Sequence, residues 1–198
     1  MKTNKNRLAE EIEDLRCEEL YTVYHENRGG HSQECHCGIS DRELVTRART
    51  ASKDRREGRR RHLAHEKDGA PAELSIFSRF YGGRKEMVNL IADCLSAAID
   101  EIESFIRSGR QDAEVYCNFA SPVGDCVLEE GNWKVFYPLS AICVIIEHSE
   151  IEDRLFHIKT AYPTPSMEFN KDGFSEVDYL IDELDAYFQK RFDENRSW

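Results

Sequence analysis

No stretch of this 198-residue sequence approaches the roughly 20 consecutive apolar residues that a membrane-spanning helix needs. A secretory leader is not expected either, because Met1-Lys2-Thr3-Asn4-Lys5 runs directly into a charged, helix-patterned segment. Cysteine is present, but not as a disulfide framework. The seven cysteines (17, 35, 37, 94, 117, 126 and 143) are an odd number at irregular spacing, in a chain longer than such scaffolds usually are. Reduced, mostly buried thiols in a cytosolic protein are the expectation. Internal repeats are missing. So is an excess of positive charge: 38 acidic against 27 basic residues leave a net charge of −11, which argues against a general polyanion binder. What remains is 40% hydrophobic and 33% charged, enough for the core of one domain, with or without an extension.

The charge is uneven. From Arg42 to Lys67 ten bases face four acids, a net +6, whereas Ser166 to Trp198 holds four bases and nine acids, a net −5. A basic patch inside an acidic protein points to a local anionic ligand, with a merely solvated loop as the plainer alternative.

Leu8, Ile12, Leu15, Leu20 and Val23 recur at near-helical spacing and predict one amphipathic helix over 6–23. Ser40-Asp41-Arg42-Glu43 has the form of a capping box opening a short helix to about Ala51. Residues 52–73 lack apolar periodicity and read as a long basic loop. A broad apolar stripe from Met87 to Ile106 predicts a single long helix over 84–107. Five short β-branched or aromatic runs follow: Ala113–Phe119, Asp125–Glu129, Trp133–Tyr137, Ala141–Glu147 and Leu155–Thr160. Their spacing leaves no room for crossover helices, so the sheet should be antiparallel. A last amphipathic helix is expected over Ser175–Arg191. Helices first and strands second give an α+β domain.

Chemistry concentrates at two places. Residues 29–37 read Gly-Gly-His-Ser-Gln-Glu-Cys-His-Cys. They offer His31 and His36 as acid–base groups near neutral pH, and Arg47 follows as a guanidinium suited to a phosphate. A loop histidine bonded to a backbone carbonyl is the plainer alternative for each. A zinc site on His31, Cys35, His36 and Cys37 is disfavoured, since Cys-x-Cys is the wrong spacing and no second ligand pair is evident. Near the other end, Phe156-His157-Ile158-Lys159-Thr160-Ala161-Tyr162-Pro163 reads as a strand. Strict alternation places His157, Lys159 and Ala161 on one face and Ile158, Thr160 and Tyr162 on the other.

The two ends together carry a resemblance. Gly29-Gly30-His31, His36, Gly38, Leu44 and Arg47 are followed by Ser75-Ile76-Phe77, then Pro122-Val123-Gly124, then Ile158-Lys159-Thr160-Ala161-Tyr162-Pro163. In that order the chain resembles the bacterial ribonuclease A-like toxin domain, found at the C-termini of contact-dependent inhibition and other polymorphic toxins. The resemblance covers about residues 28–163, and Thr-Ala-Tyr-Pro is its most specific piece. It implies N-terminal helices packed on a curved antiparallel sheet, with the toxin domain over 28–165; the N-terminal helical segment over 1–27 and the acidic helical extension over 166–198, both read from the apolar pattern, flank it.

By motif, the resemblance implies an active site of His36, Arg47, Thr160 and Tyr162. His31 is a possible second histidine, because His31 and Arg42 have the same separation as His36 and Arg47. The implied activity is metal-independent RNA cleavage by 2′-hydroxyl transphosphorylation, with no cofactor. Arg55, Arg56, Arg59, Arg60, Arg61 and Lys159 would grip the RNA backbone. A cognate immunity protein is the implied partner, a membrane is not, and the site of action would be cytoplasmic. The alternative is a catalytically silent protein-binding module on the same fold.

Overall fold

A computed structural model describes residues 4–47, 78–130 and 133–164. The expected basic loop, Arg55, Arg56, Arg59, Arg60 and Arg61 within it, Ser75-Ile76-Phe77 and the expected C-terminal helix lie outside the described residues. The architecture is α+β. Helices α1 (Asn4–Asp14), α2 (Glu18–Tyr24) and α3 (Ser32–His36) come first, with a 3-10 turn over Glu26–Arg28. A helical stretch, α4, follows over 41–47. Strand β1 (Ser78–Phe80) precedes helices α5 (Arg84–Ala97) and α6 (Ile99–Arg107). Strands β2 (Asp112–Asn118), β3 (Gly124–Glu130), β4 (Trp133–Leu139), β5 (Ala141–His148) and β6 (Phe156–Thr164) complete the order.

The strands form two three-stranded antiparallel sheets, β1-β3-β4 and β2-β5-β6. Leu8, Ile12 and Tyr21 from α1 and α2 meet Met87, Ile91, Leu95, Ile102 and Phe105 from α5 and α6 in the main core. This layer covers one face of the second sheet through Val115, Ile142, Val144, Ile146, Ile158 and Ala161. Each such side chain removed from water contributes about 1.5–3 kcal/mol before the entropy of ordering it. A smaller cluster of Ile39, Leu44, Val45 and Val127 seats α4 on the first sheet.

Two helices expected to be single are broken. The 6–23 pattern divides at residues 15–17, where Leu15, Arg16 and Cys17 donate to Ile12, Glu13 and Asp14 in the tight i→i−3 manner. Buried Leu15 is held in the core while the chain turns. The 84–107 pattern divides at Ala98, which leaves helical dihedrals (φ −104°, ψ 22°). Neither glycine nor proline marks that bend; the apolar stripe simply continues through it. The thiols also differ from expectation. None of the seven forms a disulfide, but only Cys94, Cys126 and Cys143 are buried, while Cys17 is exposed.

Gly124 shows how the two sheets meet. A Cβ there would lie 2.2 Å from the Arg79 carbonyl oxygen and 2.5 Å from Pro163 Cγ. Only glycine lets β1, β3 and the end of β6 approach so closely.

Candidate active site

The site is built on the outer edge of β6, which pairs with β5 on its other side. The segment 25–32 covers that edge with alternating contacts. Ile158 N–H donates to His25 Nδ1 at 3.1 Å, and Ala161 N–H donates to Ser32 Oγ at 2.8 Å. Between them His31 N–H donates to the Lys159 carbonyl at 3.2 Å. Gly30 makes this approach possible, because a Cβ there would meet the His25 carbonyl oxygen at 2.8 Å and that of Ile158 at 3.0 Å. Of the glycine pair before His31, Gly30 therefore serves the docking of backbone on backbone, while Gly29 takes the left-handed turn at φ 98°.

The β6 register corrects the simple alternation. Ile146 pairs with Ile158, but Ile145 pairs with Thr160, leaving Lys159 in a bulge. Past the bulge Thr160 and Tyr162 still share a face, opposite Ile145 and Cys143. Ile158, however, joins Ala161 on the core face, not Thr160.

Docking on β6 orients the short helix α3, and with it His36. His36 Nδ1 lies 2.7 Å from the Ser78 carbonyl oxygen on β1. A carbonyl only accepts, so Nδ1 carries the hydrogen and Nε2 is the basic nitrogen. The plainer alternative for a loop histidine, a bond to a backbone carbonyl, is thus realised, and it also fixes the tautomer. Burial pushes the His36 pKa down to about 4, against a partial upward pull from the Ser78 carbonyl; His31 and Arg47 nearby add to the lowering. The imidazole is neutral at pH 7. Its ring stands 5.7 Å from that of Tyr162, tilted by 38°.

Arg47 ties α4 to the end of α3. It donates to the Glu34 and Cys35 carbonyls at 3.3 and 3.1 Å, where helix carbonyls lack intrahelical partners. Its other nitrogen meets Glu43 at 2.7 Å. Arg42, the counterpart had His31 led the motif, is exposed on the same helix. His31 is half-buried just before α3. Lys159 is exposed and paired with Glu147 at 2.6 Å.

Thr160 is only 6% exposed, and its hydroxyl is buried without a hydrogen-bond partner among the described residues. The Ser78 hydroxyl shares that condition. His36 and Tyr162 are thus brought ring to ring, Thr160 shares the Tyr162 face of β6, Arg47 reaches the end of α3 at the Glu34 and Cys35 carbonyls, and His31 meets β6 through its backbone N–H. No cluster of three or more His, Cys, Asp or Glu side chains arranged for a metal occurs among the described residues. No described helix is long and apolar enough to cross a membrane.

Sequence reasoning missed what holds the junction shut. Arg79 bridges Asp125 at 2.7 Å, Asp41 at 2.6 Å and the Ile39 carbonyl at 2.8 Å. That clamp fastens β1, and so the Ser78 carbonyl, to β3 and to the link leaving α3. An arginine beside an acid is too common in sequence to betray such a pairing. His25 was also missed, because nothing local distinguishes a helix-end histidine that will be buried.

No family model matches the chain, and no curated protein is similar to it. One solved structure to which it is similar is titled "Crystal structure of CdiA-CT/CdiI complex from Y. kristensenii 33638". The likeness has a TM-score of 0.49 and 18% identity, covering 69% of this chain and 100% of that one.

Proposed function

We propose that the chain is a metal-independent endoribonuclease of the toxin type, cleaving RNA by transphosphorylation. The observation that carries this reading is the fixed tautomer of His36, whose neutral ring has Nε2 as its basic nitrogen and stands beside the ring of Tyr162. His36 Nε2 takes the proton of a ribose 2′-hydroxyl, and the 2′-oxygen attacks the adjacent phosphorus. The bond from phosphorus to the 5′-oxygen breaks, and that oxygen takes its proton from His31. The products are a 2′,3′-cyclic phosphate and a 5′-hydroxyl.

Arg47, already held by helix carbonyls, stabilises the extra negative charge of the phosphorane-like transition state with little reorganisation. Tyr162 donates to the phosphate or stacks on a base. A buried hydroxyl without a partner costs about 1–3 kcal/mol, so a ligand oxygen or base edge is a favourable partner for Thr160. Arg55, Arg56, Arg59, Arg60, Arg61 and Lys159 supply backbone grip, Lys159 by leaving Glu147. The resemblance brings with it a cognate immunity protein and cytoplasmic RNA as the target.

The test is incubation of purified protein with RNA in EDTA, with end-group analysis. Cyclic phosphate ends made by the wild type and lost in His36→Ala are expected. A folded wild type that leaves RNA intact in EDTA overturns the proposal in favour of a silent binding module.

A further inference from the structure

Away from this junction, two thiols face each other across the main core. Cys94 lies on the inner side of α5, fully buried, with its Sγ 3.9 Å from the Val115 carbonyl oxygen on β2. Cys117 is two residues further along the same strand, hence on the same face, and packs against the same core cluster. Cys117 Sγ lies 3.7 Å from the Asn118 carbonyl oxygen, so both thiols rest on the backbone of β2 where α5 packs on it. Cys143 is the third thiol nearby, but the β2–β5 register pairs it with Tyr116 while Cys117 pairs with Ile142. Its side chain therefore leaves from the opposite face of the sheet. Only one of these contacts joins a helix to the edge strand beneath it.

We propose that Cys94 and Cys117 form a modification site, a disulfide that closes when the protein meets a low-molecular-weight disulfide oxidant such as oxidised glutathione. Cys117 is half-buried and so within reach of the reagent, whereas Cys94 is sealed. Burial raises both thiols, and the partial exposure of Cys117 makes it the first to react. The Cys117 thiolate attacks one sulfur of the reagent, forming a mixed disulfide and releasing one thiolate. That thiolate takes the proton of Cys94, whose sulfur then attacks Cys117 Sγ and expels the second reagent thiolate. Two thiols of the protein become one disulfide, and the reagent is reduced to two thiols. The crosslink would tie α5 to β2, the outer strand of the sheet that also holds Thr160 and Tyr162.

The experiment uses the full chain, reduced, freed of reductant and treated with excess oxidised glutathione. Intact mass, alkylation of remaining thiols and peptide mapping are then read without reductant. The expected result is the loss of two hydrogens, five of the seven cysteines still alkylated, and one linked peptide pair joining residues 94 and 117. The Tm should rise by roughly 5–10 °C, because the closed loop restricts the unfolded chain. Cys117→Ser should abolish the crosslink, and Cys143→Ser should leave it intact. A glutathione adduct that stays on Cys117, a crosslink to any other cysteine, or seven alkylated thiols would overturn the proposal.

Discussion

His25 and His36 lie on the same stretch of chain, one buried and one half-buried, both kept neutral, yet their surroundings assign them opposite tasks. Around His25 the ring is closed in by Tyr21 at 5.3 Å, Phe156 at 6.0 Å and His157 at 5.7 Å. Its Nδ1 accepts the Ile158 N–H, so its hydrogen sits on Nε2 and protonation of Nδ1 would break the seam with β6. Burial pushes its pKa down to about 3. Around His36 the pattern is reversed: Nδ1 donates to a carbonyl, and the basic nitrogen is Nε2. One histidine turns its basic nitrogen to the Ile158 N–H in the seam with β6, while the other bonds the Ser78 carbonyl through Nδ1, so that its basic atom is the opposite nitrogen, Nε2. Burial and a lowered pKa alone do not separate the two; the direction of a single hydrogen bond does.

Removing each ring should break the comparison most sharply. His36→Ala is expected to lower RNA turnover by about a thousandfold, close to 4 kcal/mol of transition-state stabilisation, with circular dichroism unchanged. The bond to the Ser78 carbonyl is lost, but that residue keeps its place on β1. His25→Ala should do the converse. It leaves a buried N–H at Ile158 without its acceptor and opens a cavity among aromatic rings, costing about 2–4 kcal/mol in urea unfolding. Equal effects on stability from both substitutions would erase the distinction.

Arg47→Gln should have a smaller effect. The amide can still reach one helix carbonyl, but the charge is gone, so turnover should fall by roughly ten- to a hundredfold. Since Arg47 helps keep His36 unprotonated, the same variant should move the acid limb of kcat/KM to higher pH. A fall in turnover with an unmoved limb would mean that Arg47 does not act on His36.

Much of the frame was legible because it rests on apolar periodicity. The stripe from Met87 to Ile106 and the alternation of β2 to β5 are strong signals, and the structure forms those elements within a residue or two. Of the motif residues, His36 and Tyr162 stand ring to ring. Other features lacked any local signal. The bend at Ala98 has no breaker, and α3 is five residues long beside a glycine pair. The bulge at Lys159 alters which neighbours Ile158 keeps without changing any residue type. β1 is three residues long, and it matters through a backbone carbonyl, which no side-chain pattern encodes. The Arg79 clamp and the burial of His25 likewise depend on partners far away in sequence. Short elements and backbone contacts are decided by the tertiary packing around them.

The central claim is that His36 acts as the base through a nitrogen kept unprotonated by burial. Its most direct test is the pH dependence of kcat/KM for RNA cleavage in EDTA. That quantity reports the free enzyme, and a base must be unprotonated to act. His36 ordinarily titrates near 6.5 and is here lowered to about 4. Activity should therefore hold as pH falls through 6.5 and decline only near 4. An acid limb near 6.5, or turnover that survives in His36→Ala, would contradict the account.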